Sequence, residues 1–251
     1  MDFTIKEYIK LIDSITKAGY SFQTFSEFLE NPKNKVVMLR HDVDRKPYNS
    51  LKFANLQYDL GIKGSYYFRS AKCSWDPNVI QKINNFGHEI GYHYENLSDF
   101  NGDFKASIKN FEKTLNEFRK LVPIKTICMH GRPLSKFDNR LLWSKFNFRD
   151  YGIIGEPYYD LNFNEVLYLT DTGRKWNGQS ENIRDSVKSD YSFNFKKTSE
   201  LSQAFSLNSL PNQIMLTFHP ERWHQNNFLW VKEIMIQSIK NPTKRVLKKF
   251  R

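Results

Sequence analysis

Apolar residues along this chain follow two periods, one typical of helices and the other typical of strands. Helical spacing over residues 4–19 and 103–120 predicts two amphipathic helices. Further helices are predicted at 22–29, 50–60, 77–86, 138–146 and 228–239. Short apolar runs predict strands at 36–39, 65–68, 89–92, 125–129, 165–170 and 213–218. Strands and helices therefore alternate along most of the chain.

This alternation predicts a sheet of parallel strands. Parallel strands need a long crossover connection, and a helix usually provides it. No internal repeat and no Gly/Ser-rich linker divides residues 1–251, so we predict a single α/β domain. The pattern is consistent with a barrel and with an open sheet, and it does not choose between them.

Ionisable residues follow five of the predicted strands, each time on the carboxyl side. In chain order they are His41, Asp42 and Asp44, then His93 and Glu95, then His130 and Arg132, then Asp171 and Arg174, then His219 and Glu221. The carboxyl ends of parallel strands meet on one face, where the loops that follow build active sites. The pattern therefore predicts one polar site, which contains four of the six histidines of the chain.

The residue types in this predicted site favour a divalent metal ion. Zn²⁺ binds histidine nitrogen and carboxylate oxygen, and in catalytic sites it keeps one position open for water. Water bound in this way ionises near neutral pH and becomes a nucleophile. A second carboxylate can then act as general base and a separate histidine as general acid. The residues that fit these roles are Asp42, Asp44, His93 and His219.

Five motifs resemble those of the polysaccharide deacetylase family, the NodB-homology group of metal-dependent carbohydrate esterases. They are RHDVD at 40–44, GIKGSYYF at 61–68, GHEIGYH at 87–93, HG at 130–131 and LTFHP at 216–220, in the order of the family. The motif at 87–93 is the most specific of them. The resemblance implies an irregular (β/α) barrel, usually of seven strands. The HDVD form is similar to a divergent branch associated with surface-polysaccharide gene products.

The resemblance also implies roles in catalysis. Asp42 matches the general base and His219 matches the general acid. Arg132 corresponds to the arginine that orients the base, and Asp171 to the acidic residue that orients the acid histidine.

For the metal, the resemblance implies Asp44 and His93 as ligands. The family usually places a further ligand four residues after that histidine, and here the position is Leu97, which cannot bind a metal ion. Glu95 and His130 are the two alternatives for completing the set of ligands. The implied ion is Zn²⁺, with Co²⁺ and Ni²⁺ as alternatives.

Other polar and aromatic residues near the strand ends have structural or substrate roles in this interpretation. His88 is expected to pack between a helix and a strand. His41 is expected to alternate away from the aspartates, so that it is at most an outer neighbour of the site. Trp176 and Trp223 are candidates for stacking on the rings of a sugar substrate.

Composition and charge narrow the classes of protein. The chain is 39% hydrophobic and 16% aromatic, which excludes a disordered protein. Its formal net charge is +11, but the basic residues are scattered and no nucleic-acid-binding module is recognisable, so nucleic acid is not an expected partner. The basic run at 244–251 is interpreted either as a frayed helix end or as a peripheral contact with an anionic membrane.

The cellular compartment is predicted from what the chain lacks. Its two cysteines, Cys73 and Cys128, form no CxxC motif. There is no apolar leader segment and no stretch long enough to span a bilayer. We therefore expect a reduced cytoplasmic protein, and the sequence leaves its oligomeric state open.

The preferred functional hypothesis is a metal-dependent N-deacetylase that acts on an N-acylated sugar or glycan precursor. A small-molecule amidohydrolase on the same fold is one alternative, since related barrels hydrolyse other amides. A non-catalytic glycan-binding or scaffold protein is the other, because of the leucine at the ligand position.

Overall fold

The computed structural model describes residues 1–132, 134–177 and 186–223, and these form one sheet of seven parallel strands. The strands are β1 Ser21–Gln23, β2 Val36–Val43, β3 Ser65–Phe68, β4 Glu89–Tyr94, β5 Ile127–Met129, β6 Val166–Thr170 and β7 Gln213–Phe218. Their order is β5-β4-β3-β2-β7-β6, and β1 lies beside the first half of β2. The predicted parallel α/β class is confirmed.

Eight helices connect or flank these strands in the described residues. They are α1 Ile5–Lys17, α2 Phe25–Glu30, α3 Pro47–Asp59, α4 Pro77–Asn85, α5 Asn96–Asp99, α6 Phe104–Arg119, α7 Pro157–Asp160 and α8 Thr198–Ser206. Short 3₁₀ turns add Asn139–Ser144, Phe148–Tyr151 and Pro220–Arg222. Several helices begin where side chains cap them, as Asp103 does for α6 by accepting from the amide of Ala106.

Several predicted boundaries differ from the structure. The helix predicted at 22–29 was wrong in its first part, because Ser21–Gln23 pairs with β2 and Thr24 then starts α2 with a capping box. The strand predicted at 36–39 continues to Val43, so charged residues lie within the sheet itself. The segment predicted as a helix at 138–146 is a 3₁₀ turn, and the helix α8 was not predicted.

Two predictions fall on residues 224–251, which lie outside the described part of the chain. They are the helix at 228–239 and the membrane contact of the basic run at 244–251. Among the described helices, none has both the length and the apolar character needed to cross a membrane.

The sheet is strongly curled. Three strand intervals separate β2 from β5, which in a flat sheet would be about 14 Å. Yet ligand atoms of Asp42 on β2 and Cys128 on β5 lie within 4.8 Å of each other. The sheet is therefore a partial barrel, as the family resemblance implied, and β5 and β6 are the two end strands of its main strand order.

The curl gives each strand an inner and an outer face, and β2 shows the consequence for the site. Val37 and Leu39 pack outward in the larger core against the helices, whereas Val36 and Met38 pack inward in a smaller core. Because side chains alternate along a strand, the inward row continues through residues 40 and 42 to the carboxyl end. The charged residues of β2 therefore lie at the open end of the barrel, and the buried apolar residues of the same row lie below them.

Gly91 on β4 makes room for an aromatic ring inside this barrel. A Cβ at this position would overlap the ring of Tyr67 and lie 3.0 Å from the carbonyl oxygen of Thr126. The Tyr67 hydroxyl in turn contacts the Thr126 hydroxyl at 3.0 Å, so the ring is held in place. The small residue is thus needed for the inner core to close.

We expect Gly91→Ala to lower the free energy of unfolding by about 1–3 kcal/mol, the usual cost of overpacking a core. Chemical denaturation would measure the loss. In the Gly91→Ala background, Tyr67→Val should recover part of it because it removes the ring, whereas Tyr67→Phe should not. An unchanged denaturation midpoint for Gly91→Ala would contradict this account of the barrel interior.

Candidate active site

The predicted polar residues do meet at the carboxyl end of the curled sheet. Asp42 is the next-to-last residue of β2 and Asp44 directly follows the strand, while His93 lies on β4. His130 follows β5 and His219 follows β7. Their side-chain atoms approach within a few ångströms, because the curl brings these strand ends around one cavity.

Three of these side chains form a compact group that we call the metal triad: Asp44, His93 and His130. The Oδ1 atom of Asp44 lies 3.6 Å from Nε2 of His93 and 3.5 Å from Nε2 of His130. The Nδ1 atom of His93 donates to the carbonyl oxygen of Cys128 at 2.9 Å. The Nδ1 atom of His130 donates to Oε2 of Glu95 at 2.8 Å. Both rings therefore direct an Nε2 lone pair towards Asp44.

The metal triad fits a divalent ion of the zinc type. Oδ1 of Asp44 is buried and has no hydrogen-bond partner among the described residues. Two ligand atoms bound to one tetrahedral zinc ion at 2.0–2.1 Å are roughly 3.4 Å apart. The separations of 3.5 and 3.6 Å agree with that value. A buried, unpartnered carboxylate oxygen between two imidazole lone pairs is the donor set that such an ion needs.

The charge state of Asp44 is consistent with this role. Burial acts to raise the pKa of its carboxyl group, but the nearby His130, His93 and His219, when their rings are protonated, outweigh burial. The pKa is therefore held well below its ordinary value. The group is ionised at neutral pH, as a metal ligand must be.

Of the two alternatives for the third ligand, the geometry favours His130 and gives Glu95 another task. Oε1 of Glu95 accepts from Nε and Nη2 of Arg69 at 2.8 and 2.6 Å, while Oε2 holds His130. Burial acts to raise the pKa of Glu95, but His130 and Arg69 lower it to about 2. Glu95 thus orients the ring of His130 through Nδ1, the ring nitrogen that does not face Asp44. Leu97 is buried in the outer core.

Arg69 was not predicted as part of the site. It directly follows β3, the one predicted strand of this region for which no ionisable residue was considered. Besides holding Glu95, its Nη1 donates to the carbonyl oxygen of Asp44 at 3.1 Å. It therefore links the loop after β2 to the loop after β4.

Asp42 is held by an arginine of its own strand. Arg40 donates from Nε to Oδ1 at 2.8 Å and from Nη2 to Oδ2 at 2.6 Å, and both side chains are buried. Oδ2 of Asp42 also lies 3.7 Å from Nε2 of His93. Burial acts to raise the pKa of Asp42, but Arg40 and His93 lower it below its ordinary value. Asp42 is therefore an ionised carboxylate beside the metal triad.

Arg132 does not orient Asp42. Its guanidinium pairs with Asp99 and its side chain is 43% exposed. Arg40 takes the place that the family resemblance implied for Arg132. The alternation of a strand contained the signal, because residues two apart on β2 face the same side.

His219 is held by Asp171, as the resemblance implied. Nδ1 of His219 hydrogen-bonds to Oδ1 of Asp171 at 2.6 Å, and its backbone amide donates to Oδ2 at 2.9 Å. Nε2 of His219 lies 4.0 Å from Oδ2 of Asp44, on the side of the cavity formed by β7. Burial and Arg222 act to lower the pKa of His219, but Asp171 and Asp44 outweigh them and the pKa is raised.

The two tryptophans predicted to stack on a sugar are parts of the core. Trp176 is 0% exposed and donates to the Thr198 hydroxyl at 3.1 Å, and it packs against Phe3. Trp223 is 3% exposed and donates from Nε1 to Oδ2 of Asp171 at 2.8 Å. The predicted role is wrong, because neither ring face is open to a ligand. Trp223 instead helps to fix the Asp171 carboxylate that contacts His219.

The histidines expected to be structural are buried outside the site. His41 stacks on Tyr66 and Phe218 of the outer core, and its Nδ1 donates to the carbonyl oxygen of Ser65 at 3.2 Å. Burial lowers its pKa to about 3, so it is neutral. His88 bridges the amide of Gly64 at 3.2 Å and the carbonyl oxygen of Ala54 at 2.9 Å. Neither ring contacts the metal triad.

Glu221 is a further carboxyl group buried next to the site. Burial and the charge of Asp44 raise its pKa to about 7. Its Oε1 lies 3.7 Å from Nε of Arg45, and its Oε2 has no hydrogen-bond partner among the described residues. Its position after β7 was noted in the sequence, but its burial follows only from the turn at Pro220–Arg222.

Neither protein-family models nor curated proteins match this chain. Among solved structures, it is similar to a family 4 carbohydrate esterase from Bacillus anthracis, with 10% identity, a TM-score of 0.45, and coverage of 92% of this chain and 86% of the other. It is also similar to a CE4 esterase from Streptococcus mutans, with 14% identity, a TM-score of 0.45, and coverage of 90% and 89%. A third similar structure is a CE4 family pseudoenzyme from Bacillus anthracis, with 12% identity, a TM-score of 0.47, and coverage of 84% and 62%.

Proposed function

We propose that the protein is a metal-dependent hydrolase that removes an N-acetyl group from a sugar or glycan precursor. The observation that carries the proposal is the buried Oδ1 of Asp44, placed 3.6 and 3.5 Å from Nε2 of His93 and His130 without a hydrogen-bond partner among the described residues. A cation shared by the three side chains accounts for this arrangement. The general base and acid candidates then flank it.

A divalent ion held by the metal triad would supply a water molecule that ionises near neutral pH and a Lewis acid for the acetyl carbonyl. Asp42 is ionised and accepts a proton from the attacking water, while Arg40 keeps its carboxylate in one orientation. His219, protonated and held at Nδ1 by Asp171, donates its Nε2 proton to the departing nitrogen. Breaking the C–N bond in this way gives acetate and a free amine.

The finer parts of the proposal rest on the motifs and on the donor set. The N-acetylated sugar, nucleotide-linked or lipid-linked, is proposed from the motif resemblance, as is action in the cytoplasm. Zn²⁺ is proposed first for a site of two imidazoles and one carboxylate, with Co²⁺ and Ni²⁺ next. The non-catalytic alternative was considered because Leu97 occupies a ligand position. His130 offers a ligand that follows another strand, so the hydrolase is favoured.

The direct test is to assay the purified, zinc-loaded protein on N-acetylated amino sugars and on cyclic imides in parallel. Release of acetate from the sugars supports the proposal. Turnover of imides alone would identify an amidohydrolase with another substrate. No turnover of either, together with no bound metal by elemental analysis, would favour the non-catalytic alternative.

Removing a proposed metal ligand and removing the residue that orients it should weaken zinc binding to different extents. We expect Glu95→Gln to weaken zinc binding by about 10–100-fold, the usual effect of losing a partner that orients a ligand. His130→Ala should weaken it further because it removes the ligand itself. Zinc affinity is measured by competition with a chelator, on protein whose fold is checked by circular dichroism. Tight binding by His130→Ala would show that another group completes the site.

The arginines at 40 and 132 provide a matched test of the base. We expect Asp42→Asn to abolish turnover and to retain bound zinc, because Asp42 is not a ligand in the metal triad. Arg40→Lys should lower kcat by up to about 10²–10⁴-fold, the range of a general-base contribution, since lysine cannot make the two-pronged contact. Arg132→Lys should leave kcat near the wild-type value. The reverse order of the two lysine variants would restore the role first predicted for Arg132.

The raised pKa of His219 sets the alkaline limit of activity. The protonated ring is the active acid, so the rate should fall as the pH rises through this raised pKa. Asp171→Asn removes the carboxylate that raises it, so the alkaline limb of kcat/KM should move to lower pH. Trp223→Phe, which removes one hydrogen bond but keeps the charge, should move the limb much less. An alkaline limb that stays in place in Asp171→Asn would argue against His219 as the acid.

A further inference from the structure

A second set of metal-ligating side chains lies on the inner side of the metal triad and shares one residue with it. This inner group consists of Asp42, His93 and Cys128. Ligand atoms of the three lie within 4.8 Å of one another, and all three side chains are buried. Oδ2 of Asp42 is 3.7 Å from Nε2 of His93. Cys128 faces the interior of the barrel together with Met38 and Tyr67.

The two sets must compete for a single nitrogen atom. His93 donates its Nδ1 proton to the carbonyl oxygen of Cys128 at 2.9 Å, so only its Nε2 lone pair can bind an ion. An ion in the metal triad uses this lone pair towards Asp44. An ion in the inner group would use the same lone pair towards Asp42. One ion excludes the other at His93.

The donor atoms of the two sets differ in softness. The metal triad offers two nitrogens and one oxygen, whereas the inner group replaces one nitrogen by sulfur. Thiolate selects soft ions, so the inner group is the preferred site for a thiophilic ion. Binding there would displace the thiol proton of Cys128 to solvent, because the thiolate is the ligand.

Asp42 can bind an ion in the inner group although it already accepts hydrogen bonds from Arg40. Each oxygen of a carboxylate has two acceptor sites, so Oδ2 of Asp42 can accept from Arg40 at 2.6 Å and still face an ion. The thiolate and the carboxylate together offset the ion, and the guanidinium leaves one net positive charge in the cluster.

We propose that the inner group is an inhibitory site for a thiophilic divalent ion, with Cd²⁺ as the experimental probe. Such an ion occupies Asp42, the proposed base, and removes His93 from the metal triad. The loss of activity rests on the proposed function, whereas the binding of the ion to Cys128 does not. The two can therefore fail separately.

Binding is tested first without any activity assay. Titration of metal-free protein with Cd²⁺ should produce the ultraviolet charge-transfer absorption of a thiolate–cadmium bond. We expect this band in the wild type and in Cys73→Ser, which removes the other cysteine of the chain, and we expect its loss in Cys128→Ser. His130→Ala should keep the band because it alters the metal triad alone. Circular dichroism checks that each variant is folded.

A band that survives in Cys128→Ser, or that is absent from both the wild type and Cys73→Ser, would overturn the proposal. If Cys128→Ser does not fold, Asp42→Asn gives a second test. It keeps the thiol and removes the carboxylate, so it should bind Cd²⁺ at least about tenfold more weakly, on the scale of losing even a supporting partner. Unchanged Cd²⁺ affinity in Asp42→Asn would count against the inner group.

Where the protein proves to be a hydrolase, Cd²⁺ should inhibit it in the presence of zinc. Half-inhibition of Cys128→Ser should need about tenfold more Cd²⁺ than that of Cys73→Ser. Equal inhibition of the two variants would overturn the inhibitory role and leave the hydrolase assignment intact.

Discussion

Charged groups that are buried in a protein need partners, and this requirement shapes the whole carboxyl end of the barrel. Asp42 is paired with Arg40, Glu95 with Arg69 and His130, and Asp171 with His219. Removing one partner of such a pair typically costs about 3–5 kcal/mol, because the remaining charge stays buried. The charged partners of the site therefore hold one another in place, which is the preorganisation that catalysis needs.

One exception to this pairing is informative. Oδ1 of Asp44 is buried among groups that have other partners, yet it accepts no hydrogen bond from the described residues. Both facing imidazoles have their Nδ1 protons committed elsewhere, to Cys128 and to Glu95. The carboxylate oxygen and the two Nε2 atoms therefore surround one point. A cation bound at that point would satisfy the buried oxygen, which is the physical basis of the proposed metal site.

The curl of the sheet brings the charged side chains of the site close together. Residues on β2, β4, β5 and β7 are far apart in a flat sheet, but around a partial barrel their ends surround one cavity. Gly91 permits the ring of Tyr67 to fill the interior below. The same geometry brings Nε2 of His130, which follows β5, to 3.5 Å from Oδ1 of Asp44, which follows β2.

The amino-acid pattern was enough to predict the parallel α/β class and the strands whose ends carry the site, because the hydrophobic period and the alternation of strands with helices are local properties. It also identified Asp42, Asp44, His93 and His219 as neighbours, since parallel strands end on one face. The alternation of β2 also places Arg40 and Asp42 on one face. Only the folded structure shows that His130 rather than Glu95 faces Asp44 and that Arg132 pairs with Asp99. It also buried Trp176 and Trp223. Those outcomes depend on the register and curl of strands distant in sequence, which set the direction of each side chain and which no local pattern encodes.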